Sequence, residues 1–460
     1  MTIVNKASRP RRPARTAAKL RIGMLSLGCP KTLVDSETIL GKLDPGVFRI
    51  TNSVADCDIA LLNTCAFIQE AQQESVDRIL ELVELKKQNQ IRSIIVMGCL
   101  VQRFPQELQK ELKAVDAFVG SGEYDKVSQI VSQVADGGHV FSVGRPGYLA
   151  TAAEGRVALT PEFYRYLKIS EGCDHVCSFC TIPLFRGKHR SRPMPDILEE
   201  ARLLVKAGAK ELVVTGQDTT YYGRDLYGRY ELPVLLKELD KIEGLHWIRL
   251  LYAYPSCITE DLIAAIRDGE KICRYLDMPL QHASDPMLQA MRRGITKRKT
   301  IDLIKRFRAE VPDLAIRTTF IVGFPGETDG DFEELMEFME SMRFERLGIF
   351  TYSREKDSAA ALLPNQVEES VKQERFEKAM LLQQRISGDN NQGYLGKTLD
   401  VLIEKADEHN PGCRVGRSYM DAPEVDGSVY VRSSKKFKPG TFCRVSITET
   451  REYDLVGEPV

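Results

Sequence analysis

The sequence has no long apolar run. No stretch approaches the ~20 apolar residues that a membrane-spanning helix needs, which argues against a membrane protein. It also lacks a charge bias. Its 64 Lys and Arg stand against 65 Asp and Glu, leaving a net charge of −1. A near-neutral total gives no general argument for nucleic-acid binding. No secretory signal opens the chain, and eleven cysteines is an odd number, a poor basis for a disulfide framework. Reduced thiols in a cytoplasmic protein, some of them binding metal, fit better. One short region lacks acids altogether: Lys6, Arg9, Arg11, Arg12, Arg15, Lys19 and Arg21 crowd the first 21 residues. Residues 1–20 read as a disordered basic tail that solubilises the chain, with contact to RNA or ribosome as the other reading.

What is present is an ordinary globular balance, 43% hydrophobic and 28% charged. At 460 residues, about two to four domains are expected. The most informative stretch is Glu171-Gly172-Cys173-Asp174-His175-Val176-Cys177-Ser178-Phe179-Cys180. Its pattern, C-x-x-x-C-x-x-C, packs three thiols into eight residues among polar neighbours, unlike the apolar run of a core strand. Three thiolates are one short of a closed structural zinc site or an ordinary iron–sulfur set. On a four-iron cluster they would leave one iron open to a substrate or cofactor. A Cys3His zinc site completed by His175 is the competing reading, and core filler a third.

Upstream, three apolar runs each end in a cysteine: 22–29 in Cys29, 58–65 in Cys65 and 93–99 in Cys99. Helical segments separate them, the first led in by Asp35-Ser36 and the second running through Leu85. Alternating strands and helices imply a parallel sheet, and ligands bind beyond the carboxyl ends of such strands. Cys29, Cys65 and Cys99 therefore converge on one site, unless each is a lone buried thiol. Cys57, Cys257, Cys273, Cys413 and Cys443 show no such pattern and read as ordinary thiols.

These features divide the chain into an amino-terminal parallel α/β domain (21–140), a linker (141–160), a partial (β/α) barrel (161–388) and a small antiparallel β-barrel (389–460). In the central part, strands are expected at 163–170, 211–215, 247–253, 275–279, 315–322 and 346–352. Function in such folds collects in the loops after the strands, and the Cys173 loop follows the first of them. Gly216, Gln217 and Asp218 follow the second strand; Gly216 lets a ligand approach the backbone, and its neighbours offer polar groups. Thr319, Ile321 and Gly323 lie on and after the fifth. Gln281, His282 and Arg292 are further site-facing candidates, each with a plain structural role as the alternative. Over residues 390–460 ten basic and eleven acidic residues leave −1, which argues against phosphate binding. Its loop Asp421-Ala-Pro-Glu-Val-Asp426-Gly reads as solvated, or as a surface for a basic protein.

With Phe179 just before its last cysteine, the C-x-x-x-C-x-x-C loop resembles the cluster loop of the radical S-adenosylmethionine (SAM) superfamily. In its domain order and its six cysteines, the chain from about residue 20 resembles the methylthiotransferases. These join a three-cysteine domain, a radical SAM barrel and a TRAM domain. The resemblance implies two [4Fe–4S] clusters, one on Cys173, Cys177 and Cys180 and an auxiliary one on Cys29, Cys65 and Cys99. It also implies SAM held near Gly216, Gln217, Asp218, Thr319, Ile321 and Gly323, though the loop after the second strand departs from the family's Gly-Gly-Glu-like motif. Two branches exist, one acting on an adenosine of tRNA and the RimO type acting on an aspartate of a small-subunit ribosomal protein. Leu27-Gly28-Cys29-Pro30-Lys31, then Val34-Asp35-Ser36-Glu37, and Asn63-Thr64-Cys65-Ala66-Phe67-Ile68 look like the second, with departures at Thr32 and Ala66. The 421–427 loop and the absence of basic charge on the last domain point the same way. The implied chemistry replaces a β-carbon C–H of the aspartate by C–S–CH3. A 5′-deoxyadenosyl radical takes the hydrogen, and the auxiliary cluster presents a sulfur methylated by a second SAM. A low-potential electron donor is a further implied partner, whereas a membrane and tRNA are not. The alternatives are methylthiolation of tRNA adenosine and, from another class, a non-catalytic zinc-stabilised RNA-binding protein. Iron–sulfur protein is brown and a zinc protein colourless.

Overall fold

The computed structural model describes residues 19–51 and 53–460. Residues 1–18, most of the basic tail, lie outside the described residues. The amino-terminal part is a parallel sheet of β1 (Leu20–Ser26), β2 (Phe48–Thr51), β3 (Ile59–Thr64), β4 (Ser93–Gly98), β5 (Ala117–Gly120) and β6 (Val140–Ser142), in the order β2-β1-β3-β4-β5-β6. β3 and β4 are buried at every residue, as continuous apolar runs are when helices cover both faces. The strand order reverses at β1, so the carboxyl ends of β1 and β3 flank a topological switch point, where such sheets bind ligands. β6 runs into the stretch expected to be linker.

Helix α1 (Pro30–Gly41) begins directly after β1. The sequence suggested a start near Asp35-Ser36, because a polar pair ahead of Glu37 resembles a cap. The structure overturns this: Pro30 occupies the first turn, as proline favours. Asp35, Ser36 and Glu37 are instead buried inside the helix, their partners lying elsewhere. Ser36 Oγ donates to Ser26 Oγ at 2.8 Å, Asp35 meets Lys168 and Arg186, and Glu37 meets Arg156. Helices α2 (Gln69–Lys87) and α3 (Cys99–Arg103) follow β3 and β4.

In the central part, β7 (Tyr164–Lys168), β10 (Glu211–Thr215), β11 (Trp247–Leu250), β12 (Ile272–Asp277), β13 (Ala315–Val322) and β14 (Arg346–Thr351) form a parallel sheet in chain order. A two-stranded ribbon, β8 (Ser170–Glu171) with β9 (Arg190–Ser191), brackets the Cys173 loop. β7 and β14 do not pair, so the barrel is open. Its outer face packs on its own helices through Leu167, Val214, Ile248, Leu276 and Ile316. Its concave face, with Tyr164, Tyr166, Trp247, Tyr275 and Ala315, is covered by Val34 of α1 and by Leu399, Val401 and Met420 of the last domain.

That last domain is a closed barrel of β15 (Thr398–Ala406), β16 (Cys413–Arg417), β17 (Val429–Arg432), β18 (Phe442–Thr450) and β19 (Leu455–Pro459), in the order β15-β16-β17-β19-β18. Pairing is antiparallel as expected, except that β17 and β19 close the barrel in parallel. Asp421 and Asp426 of the 421–427 loop face the central barrel, not solvent or a basic partner. Asp421 pairs with Arg346 at 2.6 Å and Asp426 with Arg317 at 3.3 Å. Tyr275 donates to Asp426 at 2.7 Å, and Tyr164 to Glu424 at 3.0 Å. The inward-facing guanidiniums of β13 and β14 need buried anions, and this loop brings them. A second buried cluster, Glu211 with Arg249 and Arg417, each at 2.7 Å, joins the two barrels.

Candidate active site

The three upstream cysteines stand where the strands deliver them. Cys29 follows β1 and caps α1, Cys65 follows β3, and Cys99 opens α3 after β4. Two glycines permit their close approach. Gly28 has φ +88°, and a Cβ there would lie 2.8 Å from Cys65 Sγ. Gly98 has φ +103°, and a Cβ there would strike Asn63 Oδ1; both positions favour glycine.

The second trio sits on the loop after β8. Ser178 Oγ donates to the Ala290 carbonyl at 2.7 Å, and the His189 amide to Asp174 at 2.9 Å. Arg293 lies over the Tyr254 ring, 4.1 Å from its centroid, and donates to Cys177 Sγ at 3.3 Å and to the Pro279 carbonyl at 2.7 Å. Both trios line one chamber of about 650 Å3, bounded by Gln217, Gln281, Arg317, Thr319, Ile321 and Tyr252 among others.

A buried ionic seam joins the trios. Arg186, at the end of the short helix after the cluster loop, donates from Nε to Cys99 Sγ at 3.2 Å. Its Nη1 reaches Asp35 of α1 at 2.7 Å and Glu171, two residues before Cys173, at 3.1 Å. Lys168 also pairs with Asp35 and Glu171, and Gln217 donates to Glu171 at 2.6 Å. Burial would raise the Glu171 carboxyl, but Lys168 and Arg186 outweigh it and hold it well below the usual carboxylate range.

The thiols differ. Burial pushes Cys99, Cys173 and Cys180 up to about 12, and burial with the neighbouring Cys29 raises Cys65. Cys29 is partly buried, which would raise it, yet Lys31 and Arg186 bring its thiol below the ordinary value. Thiols held protonated by burial suit a metal that displaces the proton.

The donor sets fit multi-iron groups rather than single ions. Among the described residues, neither trio gathers its three sulfurs within 4.8 Å of one another, whereas a zinc with Zn–S bonds of about 2.3 Å draws its sulfurs to roughly 3.8 Å. His175 does not complete the trio. Its Nε2 lies 2.6 Å from Asp218 Oδ2 and its ring stacks on Tyr254 at 3.6 Å. Arg186 Nη2, Gln217 Oε1 and the Tyr352 hydroxyl line the chamber buried and without a hydrogen-bond partner among the described residues, which leaves polar capacity for a bound cofactor.

Of the SAM-site expectations, Gln217, Thr319 and Ile321 face the chamber. Gly216, Asp218 and Gly323 do not line it. A Cβ on Gly216 would meet Ser170 Oγ at 2.6 Å, Asp218 is taken up by His175 and Thr220, and Gly323 packs on Lys372. Gln281 lines the chamber; His282 is buried 3.5 Å from Glu327. Arg292 is exposed, and its neighbour Arg293 is the one that reaches Cys177. Sequence reasoning missed Lys31, Lys168, Arg186, Tyr254 and Arg293. No spacing marks them, although Arg186 does follow the cluster loop closely.

Comparison with known proteins agrees with this architecture. Residues 167–339 match the radical SAM superfamily, residues 21–120 match uncharacterized protein family UPF0004, and residues 395–460 match the TRAM domain. A Pelotomaculum thermopropionicum protein named ribosomal protein uS12 methylthiotransferase RimO is 48% identical over 441 residues, 96% of this chain and 99% of that one. The Geobacter sulfurreducens protein of the same name is 45% identical over 442 residues, with the same shares covered. In fold, the chain is similar to the Kitasatospora setae radical S-adenosylmethionine methyltransferase TsrM, with TM-score 0.55 and 13% identity over 85% of this chain and 79% of that one. Near-half identity along almost the whole length, carried on this order of three domains, makes the chain a member of the RimO family of radical SAM methylthiotransferases, enzymes that use SAM and [4Fe–4S] clusters.

Proposed function

We propose that the protein installs a methylthio group on the β-carbon of an aspartate in ribosomal protein uS12. The observation that carries this is the meeting of six cysteines, three from each of two domains, around one chamber. Cys173, Cys177 and Cys180 would hold one [4Fe–4S] cluster and Cys29, Cys65 and Cys99 the other, each with a vacant iron. Gln217, Thr319 and Ile321 are the expected residues against SAM. When bound, these groups supply radical hydrogen abstraction and sulfur delivery, which no side-chain acid or base provides at an unactivated C–H bond.

The chain's own residues do the rest. Arg186 fixes Cys99 relative to the Glu171 end of the other loop. Arg293 and Tyr254 orient Cys177. Phe179, Phe185 and Ile182 line the chamber and exclude water. Phe67, Phe350 and Val425, half-exposed on three different domains, border it and suit a protein loop entering.

One further point disfavours tRNA as substrate. With buried Asp421, Asp426 and Arg417 set aside, the last domain shows nine charges of each sign to solvent. A neutral surface is a weak phosphate binder. The reduced thiols and the ribosomal substrate suit the cytoplasm, with a low-potential electron donor as partner. Mass spectrometry of uS12 and of tRNA nucleosides from a strain lacking the gene tests the reading. Loss of the methylthio mass from uS12, restored by the wild-type chain and not by Cys29→Ala or Cys177→Ala, is expected. A change confined to the nucleosides would transfer the function to the tRNA branch.

A further inference from the structure

The cations lining the chamber are nearly all taken up. Arg186 meets Asp35 and Glu171, and Arg317 meets Asp277 and Asp426. Arg293 is occupied by Cys177, the Pro279 carbonyl and the Tyr254 ring. Lys31 is different. It lies on the chamber wall, is 8% exposed, and holds its ammonium 3.5 Å from the centroid of the Tyr252 ring. Among the described residues it makes no ion pair with a carboxylate; its ammonium sits on the Tyr252 ring, with Cys29 and Arg186 near by. The phenol is neutral, and the Cys29 thiolate, which would stay anionic on iron, divides its charge between Lys31 and Arg186. An ammonium withdrawn from water without a carboxylate is costly, and retaining one at a site wall points to an anion that arrives with the substrate.

The backbone behind Lys31 points the same way. α1 runs for 12 residues, starts at Pro30, has no acid in its first turn and no side-chain cap. Gly28 through Thr32 line the chamber, so the positive end of the helix faces it; Pro30 has no N–H and the Thr32 amide is directed at Cys29, which leaves the Lys31 amide free.

We propose that Lys31, backed by the first turn of α1, receives the side-chain carboxylate of the target aspartate. This rests on uS12 being the substrate. It makes Lys31 a specificity-determining residue, the one that separates an aspartate from its amide. The chemistry suits this placement. The carbon to be modified is bonded directly to the carboxylate carbon. An anchored carboxylate therefore leaves that carbon one bond from a fixed point and within the space between the two trios. Tyr252 keeps the Lys31 side chain extended along the wall while the site is empty.

The test pairs enzyme and substrate changes. Reconstituted wild-type, Lys31→Met and Lys31→Arg proteins are titrated, without reductant, against recombinant uS12 carrying either Asp or Asn at the target position. Affinity is read by fluorescence anisotropy, and iron is counted in each sample. Wild type should bind the Asp form roughly ten- to a hundredfold more tightly than the Asn form, the range of a charge-assisted hydrogen bond. Lys31→Met should erase the difference by weakening the Asp form alone, Lys31→Arg should keep most of it, and iron content should not change. Equal weakening of both forms, or loss of iron in step with loss of binding, would overturn the inference and make Lys31 an accessory of the Cys29 trio. A wild-type enzyme that modifies uS12 but does not tell Asp from Asn would sink this inference alone. A wild-type enzyme that leaves uS12 unmodified under turnover would sink the functional reading beneath it.

Discussion

Thiol chemistry is uneven within one trio. Cys29 is lowered from the ordinary thiol value, because Lys31 and Arg186 outweigh its burial, while burial holds Cys99 at about 12. Since the thiolate is the nucleophile, iodoacetamide at pH 7.5 should label Cys29 first in the iron-free protein, with Cys99, Cys173 and Cys180 far behind. Peptide mass spectrometry over a time course reads the order, and simultaneous labelling would contradict the charge assignment. Arg186 carries more than one thiol. Arg186→Ala leaves Asp35 and Glu171 to share Lys168, and removing one partner from a buried ionic cluster costs about 3–5 kcal/mol. A large drop in melting temperature is expected, with a smaller one for Arg186→Lys, which keeps the charge but not the fork of donors. The six cysteines were legible because metal chemistry fixes both residue type and position. A single Lys or Arg carries no such signature. Arg292 and Arg293 show the limit. Arg292 adopts φ +58° after the helix ending at Ala290, and that turn decides which of two adjacent arginines reaches the cysteine.

Among elements, the turn after β1 is the tightest constraint on the upstream trio. Gly28→Ala places a methyl 2.8 Å from Cys65 Sγ in a backbone conformation that L-residues avoid. About half the wild-type iron should remain after reconstitution, with the Cys173 trio still loaded; a full complement would show that the turn relaxes. The junction of the two barrels should titrate. Burial would raise the Glu211 carboxyl, but Arg417 and Arg249 hold it below its unfolded value of 4.5. A depressed folded value gives stability that is complete above 4.5 and is lost as the pH falls through the lower folded value. Melting temperature against pH should therefore fall more steeply below about 4.5 in wild type than in Glu211→Gln, which starts lower at neutral pH because its arginines lose their anion. Parallel curves would remove Glu211 from the account. Long apolar strands such as β3, β4 and β13 were legible from their runs, whereas β2 and β5, of four residues each, were too short to stand out. The start of α1 was misplaced because Asp35-Ser36-Glu37 imitates a cap. Only their partners elsewhere in the chain, Ser26 for Ser36 and Lys168, Arg186 and Arg156 for the two acids, show why those polar side chains lie inside a helix.

The molecule as a whole is an open half-barrel whose concave face is finished by its neighbours. The order of domains was legible; their mutual burial was not, since Tyr164, Tyr275 and Trp247 look like ordinary strand residues until the last domain covers them. A chain ending at residue 394 should expose that face together with Arg346 and Arg317, stripped of Asp421 and Asp426. Association in light scattering and strong binding of a hydrophobic dye are expected, and a monomer melting like the full protein would show the cover to be dispensable. Val425 adds a matter of timing. It closes part of the chamber wall, yet 245 residues separate it from Cys180. At ~5–20 residues per second, translation leaves the cysteine-bearing domains without that wall for roughly 12–50 s. An iron carrier meeting the nascent polypeptide in that interval finds its widest entrance, and so does dioxygen.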